Sequence, residues 1–597
     1  MLAGTSRETL SAVAVVCLGM ATTPEIGSAQ SLAPDTIYVN GNVVTVDANF
    51  SIKEGFAVKG ERFVSVGTNS AMRKLAGPTT RVIDLRHRSV FPGFVDTHPH
   101  TINGHAKQDE LHEVSLHGVR SIAEIVRRIK AATASMAAGA WVVTTDIGEP
   151  PDYFNVPSIL AEKRWPTKRD LDLAAPANPV YINCSTKQPY PVILNSAALA
   201  LLGVTRDTTD DKRVHIEKDA TGDPTGVIYG LDMYSYESRL RSQLLSLLPP
   251  VPDEVRKEVI TAAISDNAAV GVTSLYEAHG LQPVNLRYLT ELNSSAALHN
   301  RFVLAYEVPV RKSLEEIDAW MAAHKEASGS GTGDDAIRVH GVTVSMDGAI
   351  QFGASLMTKP YLDPDGRLGN GSSSVSTEKL TQIAKLALKH DLRLNIQAAG
   401  DEAIAMAVEA LETVNRETPL RDKHWVVEHV QHPSREHIKI LSDLGVFATT
   451  YSSVDFSKGA DVYVKRFPGQ DVWKTVIPLR WWIDGGVTIA QSTDGAHYEP
   501  MFTIWESLVR VDGRTGQSML TPAKTISRKE AIQIYTINGA RVMQLDDRIG
   551  SIESGKYADF AVLDHDILTC ATDEIRNTNV LLTVLGGKPI YDSHTWQ

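Results

Sequence analysis

The chain has 597 residues, 22% charged and 43% hydrophobic, the proportions of a folded globular protein rather than a disordered or fibrous one. With 59 basic against 71 acidic residues the formal net charge is −12. That excludes the overall basic balance typical of nucleic-acid binding and suits a protein acting on a small molecule, while three cysteines exclude a disulfide scaffold and a cysteine-rich zinc module.

Residues 1–29 have the layout of a secretory signal: Arg7, an apolar run from Leu10 to Met20, and a small-residue site ending at Ala29. The run is too short to span a bilayer, and no later stretch reaches the ~18 apolar residues a spanning helix needs. The expected location is therefore exported, periplasmic or secreted, with no membrane attachment after cleavage. Cys17 lies inside the run, so Cys184 and Cys570 are the cysteines left after processing; nothing in the sequence says that they pair.

From Asp35 onward, short alternating apolar runs broken by Asn-Gly and Gly-Glu turns predict strands in TIYVNGNVVTVD, EGFAVKGERFVSVG and TRVIDLRHRSVFPGF. The same texture returns in GSIESGKYADFAVLDHD and VLLTVLGGKPIYDS. Residues 35–92 and 545–597 are thus expected to form one sheet domain built from both ends. Residues 93–544 alternate strand and helix. Helix starts are marked by Ser121/Glu124, Ser313/Glu316 and Ser527/Glu530, each with capping-box spacing. Strands are expected in GVTSLYEA, RFVLAYEV, RVHGVTVSMDG, LRLNIQAAGD, HWVVEHVQH, GVFATTY and GVTIAQSTDG. This order predicts an α/β fold with a parallel sheet closed into a barrel. Residues from about 140 to 230, richer in proline and turn signals, read as an insertion. SGSGTGDD and GNGSSSVS are low-complexity loops.

Chemistry concentrates at three strand ends. In FPGFVDTHPH, alternation turns Asp96, His98 and His100 to one side, and two imidazoles on one strand end can chelate a divalent ion. Gly93 reads as the turn that aims this strand. In HWVVEHVQH, His429 shares a face with Trp425 and Val427, and Glu428 points the other way. In TIAQSTDGAHYEP, Asp494 follows a short strand and can bind metal and take a proton from an attacking water; His497 is a secondary candidate. Asp347, before Gly348, is a pocket candidate. Asp401 reads as a helix cap, and Glu277 and His279 are reserve ligands. Tyr153, Trp165 and Tyr190 suggest an aromatic lining.

These motifs, with LDLAAPANPVYIN, NSAALALLGV, AAGDEAIAMAVEAL and YTINGARVMQLDDRIGSIESGKYADFAVLDHD, resemble the metal-dependent amidohydrolase superfamily, in the branch called amidohydrolase family 3, the YtcJ-like proteins. The match runs from about Asp35 to Ser593. The resemblance implies a (β/α)8 barrel of the TIM type, a β-sandwich domain from both termini and an inserted subdomain. It also implies hydrolysis of a non-peptide C–N bond, such as an amide or cyclic amide, by metal-activated water.

Carried over by position, the resemblance makes His98, His100, His429 and Asp494 metal ligands, with Asp494 and His429 catalytic. The chain departs from the pattern at three places. Gln397 stands where a fifth-strand histidine is expected, Thr343 where a carbamylated lysine is usual, and Tyr190 near another expected histidine. With so few ligands left for a second ion, the expected cofactor is one divalent metal, zinc. The expected partner is a small-molecule substrate, with no nucleic acid and with a homo-oligomer left open. Two further readings remain at this level. One is a catalytically degenerate binding or regulatory protein on the same scaffold; the other is a lyase, isomerase or ester hydrolase using the same site.

Overall fold

The computed structural model describes residues 33–103, 114–148, 156–183, 190–211, 214–232, 238–278, 280–364, 366–495 and 499–595. The expected signal segment, Cys17, Tyr153, Cys184, His279 and His497 lie outside the described residues.

The central element is a parallel barrel of eight strands: β1 (Phe94–Asp96), β2 (Val272–Glu277), β3 (Arg301–Glu307), β4 (Ile337–Ser345), β5 (Leu394–Ala398), β6 (Val426–His429), β7 (Phe447–Thr450) and β8 (Ile489–Gln491). Each predicted barrel run contains one of these strands. Period-two alternation sorts their side chains into two cores. Val95, Tyr276, Val303, Val426 and Ala490 share an inner cluster. Phe94, Leu275, Phe302, Val344, Ile396, Val427 and Ile489 point outward and pack on the surrounding helices. Burial on both faces is why these strands read as nearly unbroken apolar runs.

The seam between β1 and β8 is closed just beyond the strand ends. The Thr97 amide and hydroxyl both donate to the Gln491 carbonyl, at 3.3 and 2.9 Å. Asp96 accepts from the Thr493 amide at 3.2 Å and from its hydroxyl at 2.6 Å. Asp96 is therefore a fastener of the barrel mouth, not a third group on the His98–His100 face. The same tight fit explains Gly93: a Cβ there would sit 2.1 Å from Thr273 Oγ1, so close packing rather than a turn requires the glycine.

Two further sheets flank the barrel. One takes strands Thr36–Val39, Gly55–Lys59, Arg62–Gly67 and Arg81–Asp84 from the N-terminal region. The other interleaves Asn42–Val44, Ile52–Lys53 and Ser89–Pro92 with Phe560–Leu563, Val580–Leu585 and Lys588–Asp592. Their shared core holds Tyr38, Phe56, Phe63 and Phe560, with Tyr38 and Phe56 stacked at 4.7 Å. A separate five-stranded sheet is formed by Val142–Thr144, Val180–Ile182, Val192–Leu194, His215–Lys218 and Pro224–Tyr229. Its packing extends backward to Leu116 and helix Ile122–Thr133, and forward to Leu244.

The capping signals act largely as written. Ser313/Glu316 and Ser527/Glu530 form reciprocal boxes. At Ser121 the hydroxyl accepts from the Glu124 amide, but the Glu124 carboxylate pairs with Arg128 at 2.7 Å. Among the described residues, no helix is long and apolar enough to cross a membrane.

Candidate metal centre

The C-terminal ends of the strands bring His98, His100, His429 and Asp494 together. His98 Nε2 lies 3.7 Å and His100 Nε2 3.2 Å from the same oxygen, Oδ1 of Asp494. The Asp494 amide donates to the His98 carbonyl at 3.1 Å, which ties the end of β8 to the end of β1. One donor atom from each of these three residues lies within 4.8 Å of the other two. The His429 ring stands edge-on to His98, with centroids 4.8 Å apart, at the border of this set.

Three of the four residues have left-handed backbone: φ is 58° at His100, 67° at His429 and 50° at Asp494. Non-glycine residues adopt this region at a cost, and such strain gathers at sites where side chains are held in unusual directions. At His429 the effect can be followed. Alternation places Val426 and Glu428 on the barrel lining and sends Trp425 and Val427 outward. A regular strand would also turn His429 outward. The left-handed twist at His429 swings its ring back over the mouth, so His429 and Glu428 both face the site. The expectation that Glu428 points away is overturned: its Oε2 lies 3.1 Å from His98 Nδ1, fully buried.

This contact sets the character of His98. Burial by itself lowers an imidazole pKa, but the hydrogen bond and charge of Glu428, with help from Asp494, outweigh it and raise His98 to about 9. The Glu428 charge favours a proton on Nδ1, and Nε2 faces Asp494. A carboxylate holding the far nitrogen of a ligating histidine is a common way to orient it. Among the described residues His429 has no such partner; burial dominates, only partly offset by Asp494, and its pKa falls to about 3, leaving a neutral ring. At Asp494 burial opposes ionisation, but the His100 hydrogen bond and the neighbouring histidines hold the carboxyl well below its usual range.

The donor chemistry fits a divalent ion: two imidazoles and a carboxylate, tightly grouped and partly open, with His100 at 19% and Asp494 at 21% exposure. One layer deeper, the positions where a second ion's ligands were expected are satisfied otherwise. Thr343 donates its hydroxyl to the Ala278 carbonyl. Asn395 Nδ2 donates to Thr343 Oγ1 at 3.1 Å, and the Tyr276 hydroxyl donates to Asn395 Oδ1 at 2.6 Å. Gln397 spends its amide on the Asp347 carbonyl at 3.1 Å. These four side chains are neutral and are hydrogen-bonded to one another or to backbone.

The remaining candidates are placed as follows. Glu277 is buried and accepts from the Ile102 amide at 2.9 Å; it is outside the tight donor set, though its charge is felt by both His98 and His100. Asp347 accepts from the amides of Ala399, Gly400 and Leu356 at 2.8 to 2.9 Å, a brace for the loops above β4 and β5. Asp401 is the first residue of helix Asp401–Glu417, whose cap is Gly400, and its side chain accepts from the Thr358 amide. Trp165 and Tyr190 pack on each other at 5.2 Å in the core of the inserted sheet. Two groups at the mouth carry no earlier sign of their role. Glu307, at the end of β3, is raised to about 7 by burial, with the Glu428 charge adding to it. Lys458 follows β7 and is buried next to Tyr451, whose ring lies 5.6 Å from that of His429.

A parallel barrel that gathers imidazoles and a carboxylate at the C-terminal ends of its strands is the architecture of metal-dependent hydrolases, and it is what the comparisons return. A model described as the amidohydrolase family matches residues 81–591, and the chain belongs to that family. It is 27% identical over 568 residues to the N-substituted formamide deformylase of Arthrobacter pascens, covering 94% of this chain and 98% of that protein. It is 26% identical to the putative amidohydrolase YtcJ of Bacillus subtilis (strain 168), over 90% of this chain and 96% of that one. The fold is shared with an uncharacterized metal-dependent hydrolase from Pyrococcus horikoshii OT3, with a TM-score of 0.67 at 21% identity, covering 90% of this chain and 99% of that chain. It is also shared with the zinc-complexed atrazine chlorohydrolase TrzN from Arthrobacter aurescens TC1, with a TM-score of 0.50 at 14% identity, covering 93% and 95%.

Proposed function

We propose that this protein is a hydrolase that cleaves a non-peptide C–N bond, an amide or cyclic amide, of a small molecule, using one divalent metal ion, zinc. The observation that carries this reading is the convergence of His98, His100 and Asp494 within 4.8 Å at the barrel mouth. Family membership and the near full-length similarity to a formamide deformylase support the bond type.

His98, His100 and Asp494 hold the ion, which supplies Lewis acidity that polarises a carbonyl and makes water a better nucleophile near neutral pH. Glu428 favours the His98 proton on Nδ1, so the Nε2 proton is the one that an ion would displace on binding. Asp494 accepts the proton of the attacking water as the C–O bond forms and the carbonyl π pair moves onto oxygen; it then passes the proton to the nitrogen, and the C–N bond breaks as the C=O bond re-forms. His429, neutral in its buried setting, donates a hydrogen bond to the substrate oxygen as negative charge develops there. The leader supports a second proposal, that the chain is exported after removal of residues 1–29.

Metal analysis of the purified protein is expected to find close to one equivalent of ion. The double variant His98→Ala, His100→Ala is expected to lose both the ion and turnover of an N-formyl amide. Hydrolysis in 18O-labelled water must place the label in the released acid. Retained turnover without the two histidines removes the proposal; an ion bound with no turnover of any amide favours the binding or regulatory reading.

A further inference from the structure

Lys458 ends the short helix Val454–Lys458, just after β7. Its side chain is buried, 6% exposed. Its ammonium donates to the Tyr451 hydroxyl at 3.0 Å and lies 5.1 Å from the centre of that ring. Among the described residues no carboxylate comes within ion-pair distance of it. The Tyr451 hydroxyl also accepts from Gln431 Nε2 at 3.0 Å, and Gln431 Oε1 in turn accepts from the Tyr463 hydroxyl at 3.0 Å. These three hydrogen-bonded side chains are neutral, and the carboxylate whose charge acts on the ammonium is that of Asp494, in the proposed metal centre.

Burying a cation without an anion is costly, and natural proteins rarely do so without a use for it. The direction of this one is set by its surroundings. Tyr451 packs edge-on against His429 at 5.6 Å, and the lysine charge is felt at both His429 and Asp494. The ammonium thus lies beside the proposed metal centre and one aromatic ring away from it. With the Tyr451 ring between it and His429, the ammonium is placed for a group attached near the scissile carbonyl rather than for the carbonyl itself.

We propose that Lys458, with the Tyr451 hydroxyl beside it, receives a carboxylate on the substrate, so that the preferred substrates are N-acyl compounds bearing an acid group close to the amide. This rests on the amide-hydrolase reading and narrows it to a substrate class. Lys458 is here a specificity residue: it holds the anionic end and leaves proton transfer to Asp494. Among the described residues the ammonium has no paired carboxylate, and the ligand supplies one.

The test uses the metal-loaded full chain and two probes that differ only in the acid group: N-formylphenylalanine, as both enantiomers, and N-formyl-2-phenylethylamine. Binding is read by calorimetry, so the result does not depend on turnover. The wild type is expected to bind one enantiomer of the acid at least tenfold more tightly than the neutral amide. Lys458→Met is expected to erase that difference, and Lys458→Arg, which keeps the charge, to retain most of it. Where either acid is hydrolysed, the loss in Lys458→Met should appear in KM rather than kcat. Equal binding of acid and neutral amide by the wild type overturns the proposal, even if Lys458→Met fails to fold. So does a Lys458→Met protein that still discriminates, or one whose binding of both probes falls together. Discrimination by charge with no hydrolysis of either probe upholds the anion site and counts instead against the amide-hydrolase reading.

Discussion

Two buried lysines flank helix Val454–Lys458, and they are provided for in opposite ways. Lys524 meets Asp455 Oδ2 at 2.7 Å, and Arg510 Nε meets the same oxygen at 2.7 Å, with all three side chains fully buried. Arg510 spends its other nitrogens on the carbonyls of Ile477 and Val476, at 3.3 and 3.2 Å. That pocket is closed: its charges are answered from within the chain. Lys458, one helical turn beyond Asp455, has a tyrosine hydroxyl and, among the described residues, no carboxylate within ion-pair distance. Both lysines are buried, and burial lowers each to about 8. The comparison shows how a structural cation is told from a binding one. Burial alone does not distinguish them; the presence or absence of a built-in counter-charge does.

The strongest way to break the comparison is at the closed pocket. Asp455→Ala takes from Arg510 and Lys524 the carboxylate oxygen they share and leaves Glu506, which touches neither in an ion pair, as the carboxyl acting on them. Removing one partner of a buried ion pair typically costs about 3–5 kcal/mol, and here two cations lose the same partner. Chemical denaturation should show a loss of that size. A loss below about 1 kcal/mol would mean that the closed pocket contributes little to the fold. The next effect belongs to the metal centre. Glu428→Gln leaves shape intact but removes the charge that orients His98, and such outer partners are typically worth 10–100-fold in metal affinity. Competition with a chelator reads this directly; an unchanged affinity would deny Glu428 its orienting role.

These particulars also show where sequence reasoning reached and where it stopped. The barrel was legible because each strand is an apolar run between helices with written caps, and both features are local. His98, His100, His429 and Asp494 stood out because each ends such a run. Glu428 was misplaced because strict alternation was applied through His429, where a φ of 67° breaks it. That twist answers to the packing of the barrel mouth and leaves no trace in the spacing. Lys458 was invisible for a different reason. In YSSVDFSKGADVY nothing separates it from a surface lysine; what singles it out is the absence of a nearby carboxylate in three dimensions. The neutral floor of Thr343, Asn395 and Tyr276 was half seen. The missing lysine at 343 was read from the sequence, but the hydrogen bonds that fill its place join three separate strands.

A smaller effect sharpens the comparison through pH. In the unfolded chain each lysine titrates near 10.5; in the folded protein both are lowered to about 8. Between these values the unfolded state binds more protons, so folding stability rises with pH across that window. Each group contributes a slope of up to about 1.4 kcal/mol per pH unit. Below the window both states are protonated and the contribution is constant. Denaturation of Lys458→Met at a series of pH values should show a shallower rise than the wild type. A saturating carboxylate ligand, by supplying the missing anion, should raise the folded pKa of Lys458 and flatten the wild-type curve while leaving the variant unmoved. Identical slopes in the two proteins would show that Lys458 titrates as an ordinary lysine and would remove its contrast with solvent-exposed ones.

The smallest effect supplies the third member of the series. Lys439 pairs with Asp443 one turn along helix Arg435–Asp443, and the two side chains are 75% and 62% exposed. Water already solvates this ammonium, so its partner answers no unmet charge, and pairs of this spacing are worth about 0.3–0.5 kcal/mol. Lys439→Ala should therefore shift stability by no more than about half a kcal/mol, with probe binding and metal content unmoved. The three lysines then separate two variables that are usually confounded. Lys439 has a partner without burial, Lys524 has both, and Lys458 has burial without a partner. If stability follows the second and ligand charge selection follows only the third, the counter-charge criterion stands. A Lys439→Ala protein that lost discrimination between the acid and neutral probes would show that selection comes from the diffuse charge of the surface, and that the buried ammonium beside Tyr451 is not its source.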